Sequence, residues 1–172
     1  MIAVEADVSD EWPDSKDWPG LSDRAVRAAV SASDFADLVE GAAVFEVSVK
    51  FTSDDEVRLL NAQWRAKDKP TNVLSFPMLE PELIETIARA GDGEALLGDV
   101  VLAHGICAGE AEAKGVDIRT HAAHLIVHGT LHLLGYDHET GEEDAEAMEQ
   151  TERDALAAIG IADPYPVTEV QS

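Results

Sequence analysis

Hydrophobic and polar positions alternate with two different periods along this chain, and the switches between them mark its elements. From Val44 to Phe51, Phe45, Val47, Val49 and Phe51 take one side while Glu46, Ser48 and Lys50 take the other. Period two predicts a strand with one buried face. Met1 to Val8, Thr71 to Phe76 (TNVLSF, stopped at Pro77) and the apolar run Leu96 to Ala103 predict three further strands. Between them the period changes to that of a helix. Ser22 reads as the N-cap of a helix to about Glu40, with Ala25, Val26, Ala29, Val30, Phe35 and Leu38 on its apolar side; Ser9 to Gly20, with Pro13 and Pro19, reads as loop. Ser53 followed by Glu56 is a capping box that starts a helix through Val57, Leu60, Ala62 and Trp64, ending before Pro70. A short helix is predicted over Leu83 to Ala90, and others over Gly105 to Lys114, Asp117 to Leu134 (closed by Gly135) and Glu142 to Ile159.

Strands and helices are thus interleaved without the regular repeat of a doubly wound fold, which predicts an α+β or α/β class with a small mixed sheet. The chain has 172 residues, the size of one domain, and a chain of this length buries roughly 70% of its unfolded surface. The expectation is a single domain over residues 1–172, with 1–20 and 160–172 as loosely ordered ends. At 45% hydrophobic residues the composition is globular.

Charge changes the picture. Thirty-five Asp and Glu oppose twelve Lys and Arg, a formal net charge of −23. That sum excludes a protein that coats nucleic acid through spread basic side chains, and an acidic membrane would repel it. The single cysteine, Cys107, excludes an intrachain disulfide framework and a multi-cysteine zinc site, and reads as a packed apolar residue. The first residues, MIAVEADVSDEW, lack the basic start and apolar run of a secretory signal, and no segment approaches the ~20 apolar residues of a membrane span. The expectation is a soluble, cytoplasmic protein with no membrane partner.

The chemistry concentrates in His124-Leu-Ile-Val-His128-Gly-Thr-Leu-His132-Leu-Leu-Gly-Tyr-Asp-His138. His128 and His132, four apart, share one helix face, and the turn at Gly135 can return His138 toward the same point. Three nitrogens plus a water form the open arrangement of a catalytic zinc site, in which the water's pKa falls to about 7. The spacing also matches the metzincin proteases, but those carry Glu directly after the first histidine as general base, where this chain has Gly129. A glycine inside a helix costs about 1 kcal/mol against alanine, so something has to approach the backbone closely there. His124, one turn earlier, reads as a residue that orients a ligand or packs, rather than a fourth ligand. His104 and His121 read as structural, and Asp137 as a group that caps or orients a histidine N–H.

The segment HGTLHLLGYDH resembles the signature of the YbeY family of bacterial single-strand-specific endoribonucleases, which take part in rRNA maturation. Asn61-Ala-Gln-Trp-Arg65, Lys69-Pro-Thr-Asn-Val-Leu-Ser-Phe-Pro77 and Leu97-Gly98-Asp99 are similar to that family too, over roughly residues 44 to 158. The resemblance implies a compact α+β domain with a mixed sheet of about four strands, five or so helices, and the histidines at the end of a core helix. It implies one Zn2+ per chain at His128, His132 and His138, and Arg65 in contact with substrate. It further implies a zinc-dependent endoribonuclease cutting single-stranded RNA in rRNA precursors, in 16S rRNA 3' end processing and ribosome quality control, alongside the small ribosomal subunit.

The proposed reaction is phosphodiester hydrolysis by metal-activated water, with a guanidinium on the charge that builds on phosphate. Arg65 lies in the one basic stretch of the chain, where Arg58, Arg65, Lys67 and Lys69 face a single acid, Asp68. A local cationic cleft focuses the field and draws phosphate although the whole molecule repels it. Basic ribosomal proteins are the natural partners for the remaining acidic surface. Asp99 reads as orienting a ligand or supporting a turn, and the acids from Glu139 and Glu143 to Asp154 as a solvated helix face. Two alternatives remain: a metal-dependent hydrolase of another substrate, such as a peptidase, and a non-catalytic acidic assembly factor with a structural metal.

Overall fold

In the computed structural model, which describes residues 1–13, 16–137 and 140–164, the alternating segment becomes strand β2 (Val44–Thr52). It lies inside a four-stranded sheet of order β1-β2-β4-β3, with β1 over Ile2–Val8, β3 over Val73–Pro77 and β4 over Glu94–Ala103. β1, β2 and β4 are parallel, and β3 runs antiparallel to β4. Phe45, Val47, Val49 and Phe51 are all buried, as their period demands. Between Glu46↔Leu96 and Val47↔Gly98 the ladder slips by one residue, so Leu97 is an extra residue on β4 and is buried. Gly98 takes φ +153° at that bulge, and a Cβ there would stand 2.5 Å from the Phe76 carbonyl oxygen. The Leu-Gly-Asp motif thus has a backbone reason.

Six α-helices surround the sheet among the described residues: α1 (Trp18–Ala32), α2 (Asp54–Arg65), α3 (Pro81–Ala90), α4 (His104–Lys114), α5 (Ile118–Leu133) and α6 (Glu142–Ala158). α1 packs on α5 and α6, and together these helices and one sheet face enclose the main core. α2 covers part of the opposite face around Val57, Leu74, Val101 and Ala103. The rest of that face stays open as a groove lined by Glu5, Asp7, Ser48, Lys50 and Asp99. No helix of the described residues is long and apolar enough to cross a membrane.

Three expectations about the N-terminal region are corrected. Ser22 is not an N-cap: α1 starts four residues earlier, the Asp17 carboxylate accepts from the Gly20 amide at 3.2 Å, and Ser22 Oγ donates to the Trp18 carbonyl at 2.8 Å. Pro19 fits the first turn, where its missing N–H is not needed. Nor are the described residues among the first twenty, 1–13 and 16–20, a loose end. Trp12 is buried edge-on against Trp18 and Phe51, and its Nε1 donates to the Thr52 carbonyl at 3.0 Å. The helix expected to reach Glu40 stops at Ala32, and a 3-10 turn over Ala36–Val39 follows.

Candidate active site

α5 is the helix that carries the histidines. Asp117 caps its start by accepting from the Arg119 amide, and most of its residues from His121 to Leu133 are buried. It can lie this close to the sheet because of Gly129: a Cβ at that position would stand 2.9 Å from Val100 Cγ1 and 3.2 Å from Cγ2. The close approach that the glycine implied is therefore made by β4.

On the half-buried flank of α5 the rings of His128 and His132 stand one turn apart, with centroids 4.6 Å apart and Nε2 atoms 3.1 Å apart. His132 Nδ1 lies 2.8 Å from the Tyr136 carbonyl, and His128 Nδ1 is hydrogen-bonded to Glu152 Oε1. A carbonyl and a carboxylate only accept, so both Nδ1 atoms donate and, in the neutral rings, both Nε2 lone pairs face the same point. Two lone pairs at that distance repel unless a proton or cation lies between them. Two nitrogens bound at ~2.05 Å to one tetrahedral ion are themselves about 3.3 Å apart, so this donor pair fits a zinc-type ion. The described residues hold no cluster of three metal-binding side chains; His138, the third expected ligand, lies outside the described residues, as does Glu139.

Tyr136 also anchors the turn from its other end, because its hydroxyl accepts from the Asp34 amide at 3.0 Å. The acceptor at His132 Nδ1 is thus a backbone carbonyl, and Asp137 is exposed beside Arg65 and His132.

The end of α2 lines the same cavity as the histidines. Ser53 caps its start, and Ala66 ends it in the left-handed conformation, turning the chain back toward β3. Asn61, buried on α2, donates to the Lys69 carbonyl at 2.9 Å and ties down the loop that follows. Arg65 donates through Nη2 to the Ser75 carbonyl at 2.6 Å, and its guanidinium lies 5.6 Å from the Phe76 ring centre. Arg58 and Asp68 pair at 2.8 Å and cancel. What remains of the basic stretch, Arg65, Lys67 and Lys69, lines a cavity of about 470 Å³ together with His124, His128 and His132. Residues far apart in sequence thus place three cations across from two convergent imidazoles.

Glu152 was missed from sequence. It sits in the acidic C-terminal helix read as solvated, yet it is fully buried, in line with Met148, Ala155 and Leu156 on the inner stripe of α6. The signal was present as that helical spacing. His124 Nε2 lies 3.1 Å from Glu152 Oε2, so His124 belongs to this hydrogen-bonded group. Asp99 does not orient a histidine: it alternates with Val100, which packs under α5, and so faces the open groove on the other side of the sheet. His121 pairs with Glu110 at 2.8 Å; burial holds its imidazole below the ordinary value, against the opposing pull of that carboxylate. His104 packs on Trp12, and burial pushes the Cys107 thiol up to about 12, with Glu110 and Asp54 adding to the shift.

A family model described as endoribonuclease YbeY matches residues 10–160. A Rhizorhabdus wittichii protein named endoribonuclease YbeY is 54% identical over 169 residues, covering 98% of this chain and 99% of its own. One from Sphingopyxis alaskensis is 51% identical, covering 96% of this chain and 98% of its own. A solution structure from Thermotoga maritima, 22% identical, superposes with a TM-score of 0.53 over 96% of this chain and 99% of that one, which shows a shared fold. With close relatives that agree over nearly the full length and the histidine and arginine motifs lining one cleft, the chain belongs to the endoribonuclease YbeY family.

Proposed function

We propose that this chain is a zinc-dependent, single-strand-specific endoribonuclease of rRNA maturation, with His128, His132 and His138 holding one metal ion and Arg65 binding the scissile phosphate. The observation that carries the reading is the pair of Nε2 atoms converging at 3.1 Å on the wall of the cavity that Arg65, Lys67 and Lys69 also line. When bound, the ion supplies Lewis acidity that polarises a phosphoryl oxygen and acidifies water.

The protein's own part is positioning and charge. Arg65 is held by the Ser75 carbonyl and by Phe76, so its planar fork enters the cleft with little freedom left to lose. There it meets the negative charge that develops on the equatorial phosphate oxygens. Lys67 and Lys69 extend the cationic wall by two more charges, enough to seat flanking phosphates of a strand. A cavity of about 470 Å³ is on the scale of a small-ligand pocket, ~300–1,000 Å³, which suits a locally extended strand better than a duplex. Family membership supports RNA as substrate, and the relatives' printed names say the same of them. The substrate in this reading is an rRNA precursor at the 3' end of 16S rRNA, with a role in ribosome quality control. The site of action is the cytoplasm, on the small ribosomal subunit, where basic proteins complement a chain of net charge −23. All 172 residues act as one domain in this reading.

Metal content and cleavage of a single-stranded RNA, measured side by side on wild type, His128→Ala and Arg65→Ala, test the proposal. Wild type is expected to carry about one zinc and to cut RNA until EDTA is added. His128→Ala should lose both metal and activity, and Arg65→Ala only activity. Unchanged zinc in His128→Ala would overturn the site.

A further inference from the structure

We infer that Glu152 is the positioning residue that sets the hydrogen of His128, with His124 as its buttress; this rests on the metal-hydrolase reading and deepens it. α6 supplies an apolar stripe to the core through Met148, Ala155 and Leu156, and Glu152 occupies a position in that stripe with no exposed surface. A carboxylate there is strongly unfavourable unless its oxygens are satisfied. Each oxygen meets one imidazole: Oε2 lies 3.1 Å from His124 Nε2, and Oε1 is hydrogen-bonded to His128 Nδ1. Both rings project from α5, four residues apart, toward this one group on α6.

The consequence is chemical. An ionised carboxylate offers only lone pairs, so a neutral His128 ring carries its hydrogen on Nδ1 and leaves Nε2 bare. Nε2 is the atom that faces His132 Nε2 across 3.1 Å. The carboxylate holds the hydrogen on Nδ1, and the tautomer with hydrogen on Nε2 cannot bind metal through that atom. His124 donates to the other oxygen and so keeps the Glu152 carboxylate turned toward His128. His132 obtains the same result from a backbone carbonyl, that of Tyr136. The two ligands are thus fixed by different devices: one is written in a side chain and open to substitution, the other in the main chain. Glu152 itself stays out of the cavity that Arg65 and the lysines line, so it acts through His128 and not on substrate.

Glu152→Leu, which keeps an apolar core position, and Glu152→Gln, which keeps one acceptor oxygen, test this. Histidine side-chain 15N spectra of the metal-free protein, assigned by single-histidine substitutions, read the tautomer directly. Wild type should show His128 with hydrogen on Nδ1 and bare Nε2, and Glu152→Leu should lose that fixed state. Zn2+ affinity, measured by chelator competition on protein shown to be folded by denaturant titration, should fall about 10- to 100-fold in Glu152→Leu, with Glu152→Gln between the two. A folded Glu152→Leu with wild-type Zn2+ affinity overturns the inference. So does a wild-type spectrum with the His128 hydrogen on Nε2, and that spectrum decides the matter even if both variants fail to fold. If wild type binds no Zn2+, the metal reading fails by itself, while the metal-free spectra still decide whether Glu152 sets the ring.

Discussion

Replacing Gly129 by alanine isolates the contact that seats the histidine helix on the sheet. Helix propensity alone favours the change by about 1 kcal/mol. The structure opposes it: the new methyl would stand 2.9 Å from Val100 Cγ1, inside ordinary carbon–carbon contact of about 3.5–4.0 Å. Val100 is buried and β-branched, with one χ1 angle and no room to swing away. Overpacking of this kind costs about 1–3 kcal/mol, so the net loss should be about 0–2 kcal/mol, or roughly 2–4 °C in Tm for each kcal/mol. The sharper measure is a double-mutant cycle. In a Val100→Ala background the methyl has space, Gly129→Ala recovers its propensity gain, and the coupling should be about 1–3 kcal/mol. Activity should fall further than stability does, about tenfold, because α5 carries His128 and His132 and a shift of about half an ångström moves both against Arg65. Denaturant titration of the four proteins measures the cycle. Gly129→Ala more stable than wild type by ~1 kcal/mol, with effects additive to within ~0.4 kcal/mol, would refute the reasoning.

Arg65→Ala should lower RNA cleavage about 10²–10³-fold with zinc content unchanged, and Arg65→Lys should not restore it, since a single ammonium lacks the bidentate fork; single-turnover cleavage assays check both. Binding of a short single-stranded RNA should fall with salt with a log–log slope of about −2, from three cations at ~0.7 each, and Lys67→Ala or Lys69→Ala should each reduce that slope by about 0.7. Cys107 should resist thiol reagents until the protein unfolds. Its folded pKa, about 12, lies above that of the unfolded thiol. The stability it contributes is complete below about pH 9 and declines as pH rises from there toward 12, by at most ~1.4 kcal/mol per unit; unfolding curves between pH 8 and 11 of wild type and Cys107→Ala test this.

Much of this molecule is legible in order along the chain. The β2 alternation, the Ser53 cap, the glycine after α5 and the i, i+4 histidines are local patterns, and local patterns survive folding because backbone geometry sets their period. Arg65 was singled out through a motif and a local charge excess, and it lines the same cavity as His128. The start of α1 was misplaced because Pro19 and Gly20 read as loop residues, although a proline fits the first turn of a helix. Trp12 gave no periodic signal at all; its place depends on Trp18, Phe51 and Thr52, up to 40 residues away.

Glu152 shows where sequence reading stops. Its spacing with Met148, Ala155 and Leu156 marks it as facing inward, but nothing local names its partners; only packing α6 against α5 brings it to His124 and His128. Asp99 is the converse case, a motif residue that the pleat turns to the far side of the sheet. The sequence by itself determined most of the elements and the pair of histidines one turn apart, since each follows from spacing along one backbone, and the resemblance and a local charge excess pointed to Arg65. The tertiary structure alone decided which ring nitrogen carries hydrogen, which cations remain unpaired at the cleft and why position 129 must be glycine. Each of those depends on a partner from another element, and a distance between elements is set by packing rather than by any interval along the chain.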